Sequence, residues 1–397
     1  MVEETKYMSV TLGEYDPQLW SCLNCFCGLC LESCPAYREL KNEVTSARGL
    51  SQICLAIRSG EIKLLEIPDK VLYACVGCRW CETVCSMNAP FYIKRHGTRR
   101  TKVSGTTMVE ILRSMKIEQG GKVPKEISTA GRNLAKFGNP YGEGGKVKND
   151  WVRSLDLPSK NGDTILYTGS MVPYEDNSRK MAEAIVAIFK VGQLKFTMLG
   201  SEERDSGAFL RMMGAEGLFF EMVKNNIEVF KRHNINNIIC LSPHDYDAFR
   251  HYYEDLGNMG IMHYTQVLYE MIENGRITFT KKINKRVTYH DPCYLGRQND
   301  IYDEPRKILR SIPGVQLVEM EKSKETAMCC GGGGTGLFLE LPNFHIDKAR
   351  ADQIKAVNPD SVAVSCPNCY QMLDAAIKSR NYNIEVKDIA QLVMEAL

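Results

Sequence analysis

Cys329-Cys330-Gly331-Gly332-Gly333-Gly334 decides how the second half of this chain is read. Cys293, in Tyr289-His290-Asp291-Pro292-Cys293, lies 36 positions before the first of the pair, and Cys366-Pro367-Asn368-Cys369 begins 36 positions after the second. Thiolates are soft ligands that suit zinc, copper(I) or iron–sulfur clusters. A single zinc ion takes four ligands and gains nothing from two neighbouring cysteines. Five thiolates with an adjacent pair suit a larger, multi-iron group, and glycines after the pair let the backbone approach it where side chains could not.

From Asp163 onward, short β-branched runs alternate with helical stretches, the pattern of α/β units around a mainly parallel sheet. In the second half strands are expected over 286–290, 315–318, 361–365 and 383–386. The cysteine groups would then fall at the carboxyl edge, where open α/β sheets place their ligands. The first half repeats the order, with strands expected over 164–167, 195–199 and 237–241. Asp205-Ser206-Gly207 meets Cys329-Cys330-Gly331 at an offset of 124, and Ser242-Pro243-His244-Asp245-Tyr246 meets Cys366-Pro367-Asn368-Cys369-Tyr370 at the same offset. This reads as a duplicated domain whose first copy has lost its thiolates, with Ser170 or Met171 near the place of the leading cysteine and Cys240 off the ligand position. That copy is either scaffolding or a polar pocket of Asp205, His244, Asp245 and His263.

Two more cysteine groups occupy the N-terminal third. Cys75, Cys78, Cys81 and Cys85 follow the bacterial ferredoxin run, in which three cysteines hold one cubane and the fourth ligates the other. Ser86 stands where that run has proline. In the first group, Cys27, Cys30 and Cys34 are in step, but Asn24 occupies the leading ligand position, leaving Cys22 and Cys25 as candidates. Cys22 gives a spacing that plant-type ferredoxins use, so the expected sets are Cys22, Cys27, Cys30 and Cys85 for one cubane and Cys34, Cys75, Cys78 and Cys81 for the other. Between the groups, 36–58 carries apolar residues at helical intervals, with Cys54 as a buried small hydrophobe. Trp20 and Trp80 flank the cluster loops and are expected to shield them. Turn formers crowd 119–162, which reads as a linker.

The order Cys…Cys-Cys-Gly…Cys-x-x-Cys resembles the CCG domain of heterodisulfide reductases, and the helical region with its Ser46-Ala47-Arg48-Gly49 resembles the dicluster domain fused to it. Together they are similar to the D-type subunit of that family, equivalent to separate C and B subunits joined. The resemblance implies a noncubane 4Fe–4S cluster on Cys293, Cys329, Cys330, Cys366 and Cys369, at the site of disulfide chemistry. The expected fold is α+β multidomain: a helical two-cubane ferredoxin-like domain (1–118), the linker (119–162), a degenerate α/β CCG-like domain (163–280) and the CCG domain proper (281–397).

Sixteen cysteines in such spacings point to metal rather than to disulfides. A net charge of +2 gives no argument for nucleic acid. Neither a secretory signal nor a membrane span is expected, which places the chain in the cytoplasm, free or peripheral at a membrane complex. There is no Gly-x-Gly-x-x-Gly after a strand and no Cys-x-x-Cys-His, so no flavin, NAD or haem is expected. Electrons must come from a partner: a flavoprotein, a ferredoxin or a membrane cytochrome. The basic residues Lys94, Arg95, His96, Arg99, Arg100 and Lys102 are either a solvated face or a docking patch for it. The chain then either acts on a small disulfide or thiol, such as the coenzyme M–coenzyme B heterodisulfide, or relays electrons with no substrate of its own. A zinc scaffold is a third reading.

Overall fold

The computed structural model describes residues 12–25, 27–88, 102–159 and 162–397. The basic run from Lys94 to Arg100 lies outside them. No helix among the described residues is long and apolar enough to cross a membrane. The chain divides into two compact units, one of Met1–Ser128, Phe209–Phe220 and Gly333–Ile346, the other of Thr129–Ala208, Glu221–Gly332 and Asp347–Leu397.

The first unit is helical among its described residues. Its cysteines punctuate short helices: Cys34 caps Pro35–Leu40, whose first position is proline, and Cys85 closes Trp80–Val84. Proline suits a first helical position because its missing N–H would find no partner there. The single helix expected over 36–58 is broken. Lys41 ends Pro35–Leu40 in the left-handed region at φ 50°, and Ser46 starts Ala47–Arg58 by accepting from Gly49 N at 3.1 Å. Gly49 is required by packing, since a Cβ there would stand 2.2 Å from the Glu43 carbonyl oxygen. Leu50 and Cys54 face the core, as the periodicity demands. Trp80 is buried, but Trp20 is 54% exposed, so only one of the two tryptophans is shielded. A short helix leaves its indole outside because Leu19, not Trp20, takes the buried position.

The second unit holds two parallel sheets. One runs β1 (Thr164–Tyr167), β2 (Asn237–Cys240), β3 (Gly260–His263) in that order; the other has the order β5-β4-β6-β7, with β4 at Lys285–Tyr289, β5 at Val315–Val318, β6 at Ser361–Val364 and β7 at Glu385–Asp388. The strand expected over 195–199 shrinks to one bridge, Thr197 against Ile165 on the free side of β1. With that bridge the two sheets share one order. Both β3 and β7 lead into a helix through a capping box, closed by His263 with Gln266 and by Asp388 with Gln391. A common apolar core joins the sheets, with Leu166 and Ile239 from one and Val287 and Ala363 from the other. The stretch read as a linker folds as helices Lys125–Phe137 and Gly145–Ser154, the first burying Ile127, Ala130 and Leu134.

Candidate metal centre

In the second unit, parallel strands bring the cysteine groups to one end. β4 runs out into His290-Asp291-Pro292-Cys293, and β6 into Cys366, which caps helix Pro367–Ser379 and sets Cys369 one turn on. All five cysteines are buried. The Cys330 and Cys369 sulfurs stand 3.3 Å apart, and Gly331 N donates to Cys329 Sγ at 3.3 Å. Hydrogen bonds from Cys329 and Cys369 pull the Cys330 thiol well below its ordinary range. Burial alone would raise Cys366, but hydrogen bonds from Cys369 and His244 hold it down at about 5. A buried set of sulfurs biased toward thiolate, with no carboxylate among them, suits a soft, iron-rich group.

Two imidazoles reach this sulfur group. One nitrogen of His290 lies with Cys330 Sγ and Cys369 Sγ in a set whose members are all within 4.8 Å of one another. His244 Nδ1 lies 3.9 Å from Cys366 Sγ and 3.4 Å from Asn368 Nδ2. Sequence reading gave neither histidine a place at the cysteines. The available signals were the position of His290 three residues before Cys293, and the match of His244 to Asn368 under the 124-residue offset.

The region matching the cysteines in the first half closes on itself. Ser206 Oγ donates to Asp245 Oδ1 at 2.6 Å, and Gly207 N to Asp205 Oδ1 at 2.7 Å. Burial, then the neighbouring Asp205 charge, pushes the Asp245 carboxyl up to about 8. Of the four polar residues expected to line a pocket there, Asp205 and Asp245 lie together. His244 turns to Cys366, and His263 caps helix Tyr264–Glu273, with Nδ1 2.7 Å from Thr265 Oγ1.

The first unit has two cysteine-lined cavities. One is bounded by Cys22, Cys25, Cys27, Cys30, Cys81 and Cys85 with Arg48, the other by Cys34, Cys75, Cys78 and Cys81. Burial pushes Cys30 and Cys34 up to about 12, so these thiols ionise only opposite a metal centre. Cys27 is held at about 7, chiefly by its hydrogen bond from Ser86. The same hydroxyl lies 3.0 Å from Cys25 Sγ, which is the use found for the residue standing in place of proline. Both cavities offer four or more sulfurs and no carboxylate, the donor set of a 4Fe–4S cluster.

Residues 287–374 match the cysteine-rich CCG domain, and residues 18–89 match the 4Fe-4S dicluster domain. The D subunit of the dihydromethanophenazine:CoB--CoM heterodisulfide reductase of Methanosarcina mazei is 28% identical over 100% of this chain and 97% of its own length. The chain belongs to the CCG-domain iron–sulfur oxidoreductases of the heterodisulfide reductase D type. This heterodisulfide reductase-like chain is also similar to a probable iron-sulfur-binding oxidoreductase, FadF, of Bacillus subtilis, at 32% identity over 83% of the chain and 47% of the relative. The EtfAB:quinone oxidoreductase of Syntrophomonas wolfei is 28% identical over 95% of the chain and 58% of the relative. The chain thus spans only about half the length of these two curated relatives.

Proposed function

We propose that this chain is the electron-carrying subunit of a heterodisulfide reductase-type complex. It would hold cubanes on Cys22, Cys27, Cys30 and Cys85 and on Cys34, Cys75, Cys78 and Cys81, with a noncubane cluster on Cys293, Cys329, Cys330, Cys366 and Cys369. The observation that carries the reading is the convergence of five buried cysteines at one end of a parallel sheet, with Cys330 Sγ and Cys369 Sγ 3.3 Å apart. When bound, the clusters supply one-electron steps, and two such steps with two protons turn one disulfide into two thiols. The chain's own part is to bury the sulfurs, exclude water and bring the reducing centre near its donor. Gly334, four residues after Cys330, packs against the Cys75 carbonyl, where a Cβ would stand 2.7 Å away.

The domains are read as 1–118 for the cubanes, 119–162 as connecting helices, 163–280 as an emptied CCG copy and 281–397 as the CCG domain. A cytoplasmic chain docked on a flavoprotein, ferredoxin or membrane cytochrome fits this role. Thiol added to the anaerobic protein should perturb the paramagnetic signal of the noncubane cluster, and Cys330→Ala should abolish disulfide-linked turnover while both cubanes stay reducible. An unperturbed signal would leave the second reading, a relay without its own substrate. That reading is favoured by the single complete cysteine set and by the likeness to an oxidoreductase named for EtfAB and quinone.

A further inference from the structure

His290 is the residue at the cysteine group whose chemistry is still unassigned. Its ring hydrogen-bonds the Cys330 sulfur, and its Nδ1 accepts from Arg350 Nε at 3.1 Å. A ring nitrogen that accepts cannot donate, so the proton His290 offers to sulfur is the one on Nε2. Arg350 is fully buried. Its other hydrogen bonds go from Nη1 to the Lys322 carbonyl at 3.0 Å and to Gln353 Oε1 at 2.6 Å, and no carboxylate hydrogen-bonds it among the described residues. A buried cation without a paired anion is strongly unfavourable. Burial pushes Arg350 down to about 10, with Asp291, Cys330 and Cys369 acting in the opposite sense. A thiolate-bound cluster is the anion this guanidinium lacks.

We propose that Arg350 and His290 are positioning residues for the CCG cluster: Arg350 Nε–H fixes His290 as the Nε2–H tautomer, and that N–H donates to the Cys330 sulfur. The proposal rests on the reading of the five cysteines as cluster ligands. Hydrogen bonds to ligand sulfur draw off negative charge and are one of the main controls on iron–sulfur potentials. A donor held in place from behind keeps its aim as the cluster gains an electron, so the reduced form is favoured. Arg350 does this without exchanging a proton, because guanidinium stays protonated. A planar donor with a fixed Nε direction is required, and lysine would supply charge without that direction.

The test is a potentiometric titration, followed by paramagnetic resonance, of the anaerobically purified full chain with its clusters. His290→Leu should lower the noncubane midpoint so that the reduced-to-oxidised ratio at a fixed potential falls about tenfold, about 59 mV for a one-electron couple. His290→Gln, which keeps an amide donor at similar reach, should recover most of the loss, and Arg350→Lys should fall between. In D2O, an exchangeable proton coupled to the cluster should be seen in the parent and the Gln variant but not in the Leu variant. An unchanged midpoint and coupling in His290→Leu overturns the proposal, as does a strong nitrogen coupling showing His290 bound to iron. Should the Leu variant lose its cluster, an unchanged midpoint in Arg350→Lys overturns it instead. A parent protein with two cubane signals and no third would sink the ligand reading itself.

Discussion

His244 and Asn368 stand 124 positions apart, each at the second position of a helix that opens with proline, and they meet: His244 Nδ1 lies 3.4 Å from Asn368 Nδ2. Residues matched by a constant offset touch when they flank an internal two-fold relation. The shared strand order of the two sheets accords with that reading. On it, the emptied copy faces the cysteine site directly, and His244 occupies ground that a second cluster's surroundings would otherwise claim.

The first prediction is a metal count. Asp205, Ser206 and Asp245 satisfy one another through Ser206 Oγ–H and Gly207 N–H, leaving no sulfur donor in the first copy. Three 4Fe–4S clusters correspond to about twelve iron atoms per chain, against about sixteen with a second CCG site. Iron and sulfide analysis of anaerobically purified protein decides, and a value near sixteen would mean that the first copy does hold a cluster.

The leading ligand of the first cysteine group is the subject of the second. Cys22 and Cys25 both line the cavity. Cys22 is a charge neighbour of Cys30 and Cys85, whereas Cys25 is engaged with Ser86 Oγ at 3.0 Å. Cys22→Ser should cost one cubane signal and Cys25→Ser neither. The reverse pattern in paramagnetic resonance would exchange the two roles.

A third prediction follows from the Asp245 carboxyl, raised from 3.8 to about 8, first by burial and then by Asp205. The folded state then binds this proton more tightly than the unfolded state. Its contribution is most favourable below pH 3.8, is lost as pH rises toward 8, and is level above that. Asp245→Asn keeps an acceptor for Ser206 and removes the titration. Thermal midpoints of variant minus parent should therefore rise between pH 5 and pH 8; a flat difference would count against a protonated Asp245.

Gly49→Ala supplies the fourth. Its Cβ would stand 2.2 Å from the Glu43 carbonyl oxygen and 2.6 Å from Val44 Cα, both backbone atoms that cannot swing aside. Overpacking of this kind costs about 1–3 kcal/mol. Anaerobic thermal denaturation should show a clear loss of stability, whereas Gly144→Ala, with nothing within 4 Å, should show little.

Much of the frame was legible because ligand chemistry and strand periodicity leave fixed spacings. Strands β1 and β5 fall where alternating β-branched residues placed them, and the cysteine groups that the fold gathers were visible as intervals. β3 escaped because Gly260-Ile261-Met262-His263 is short and only half-buried along most of its length. The helix over 36–58 broke at Lys41, a residue with no local signal for a left-handed turn. Arg350 lies 60 residues from His290, and an isolated arginine on a helix carries no spacing that marks it as a donor to that ring.

The first unit is assembled from three separate lengths of chain, the last ending at Ile346. A nascent polypeptide therefore cannot complete it when residue 128 leaves the ribosome. At about 5–20 residues per second, the missing piece arrives roughly ten to forty seconds later. Throughout that interval the N-terminal cysteines have been made but their housing has not. Assembly of the cubanes is thus tied to late synthesis, and a cell making this protein must protect nine open thiols, Cys22 to Cys85 without buried Cys54, from oxygen and stray metal until then.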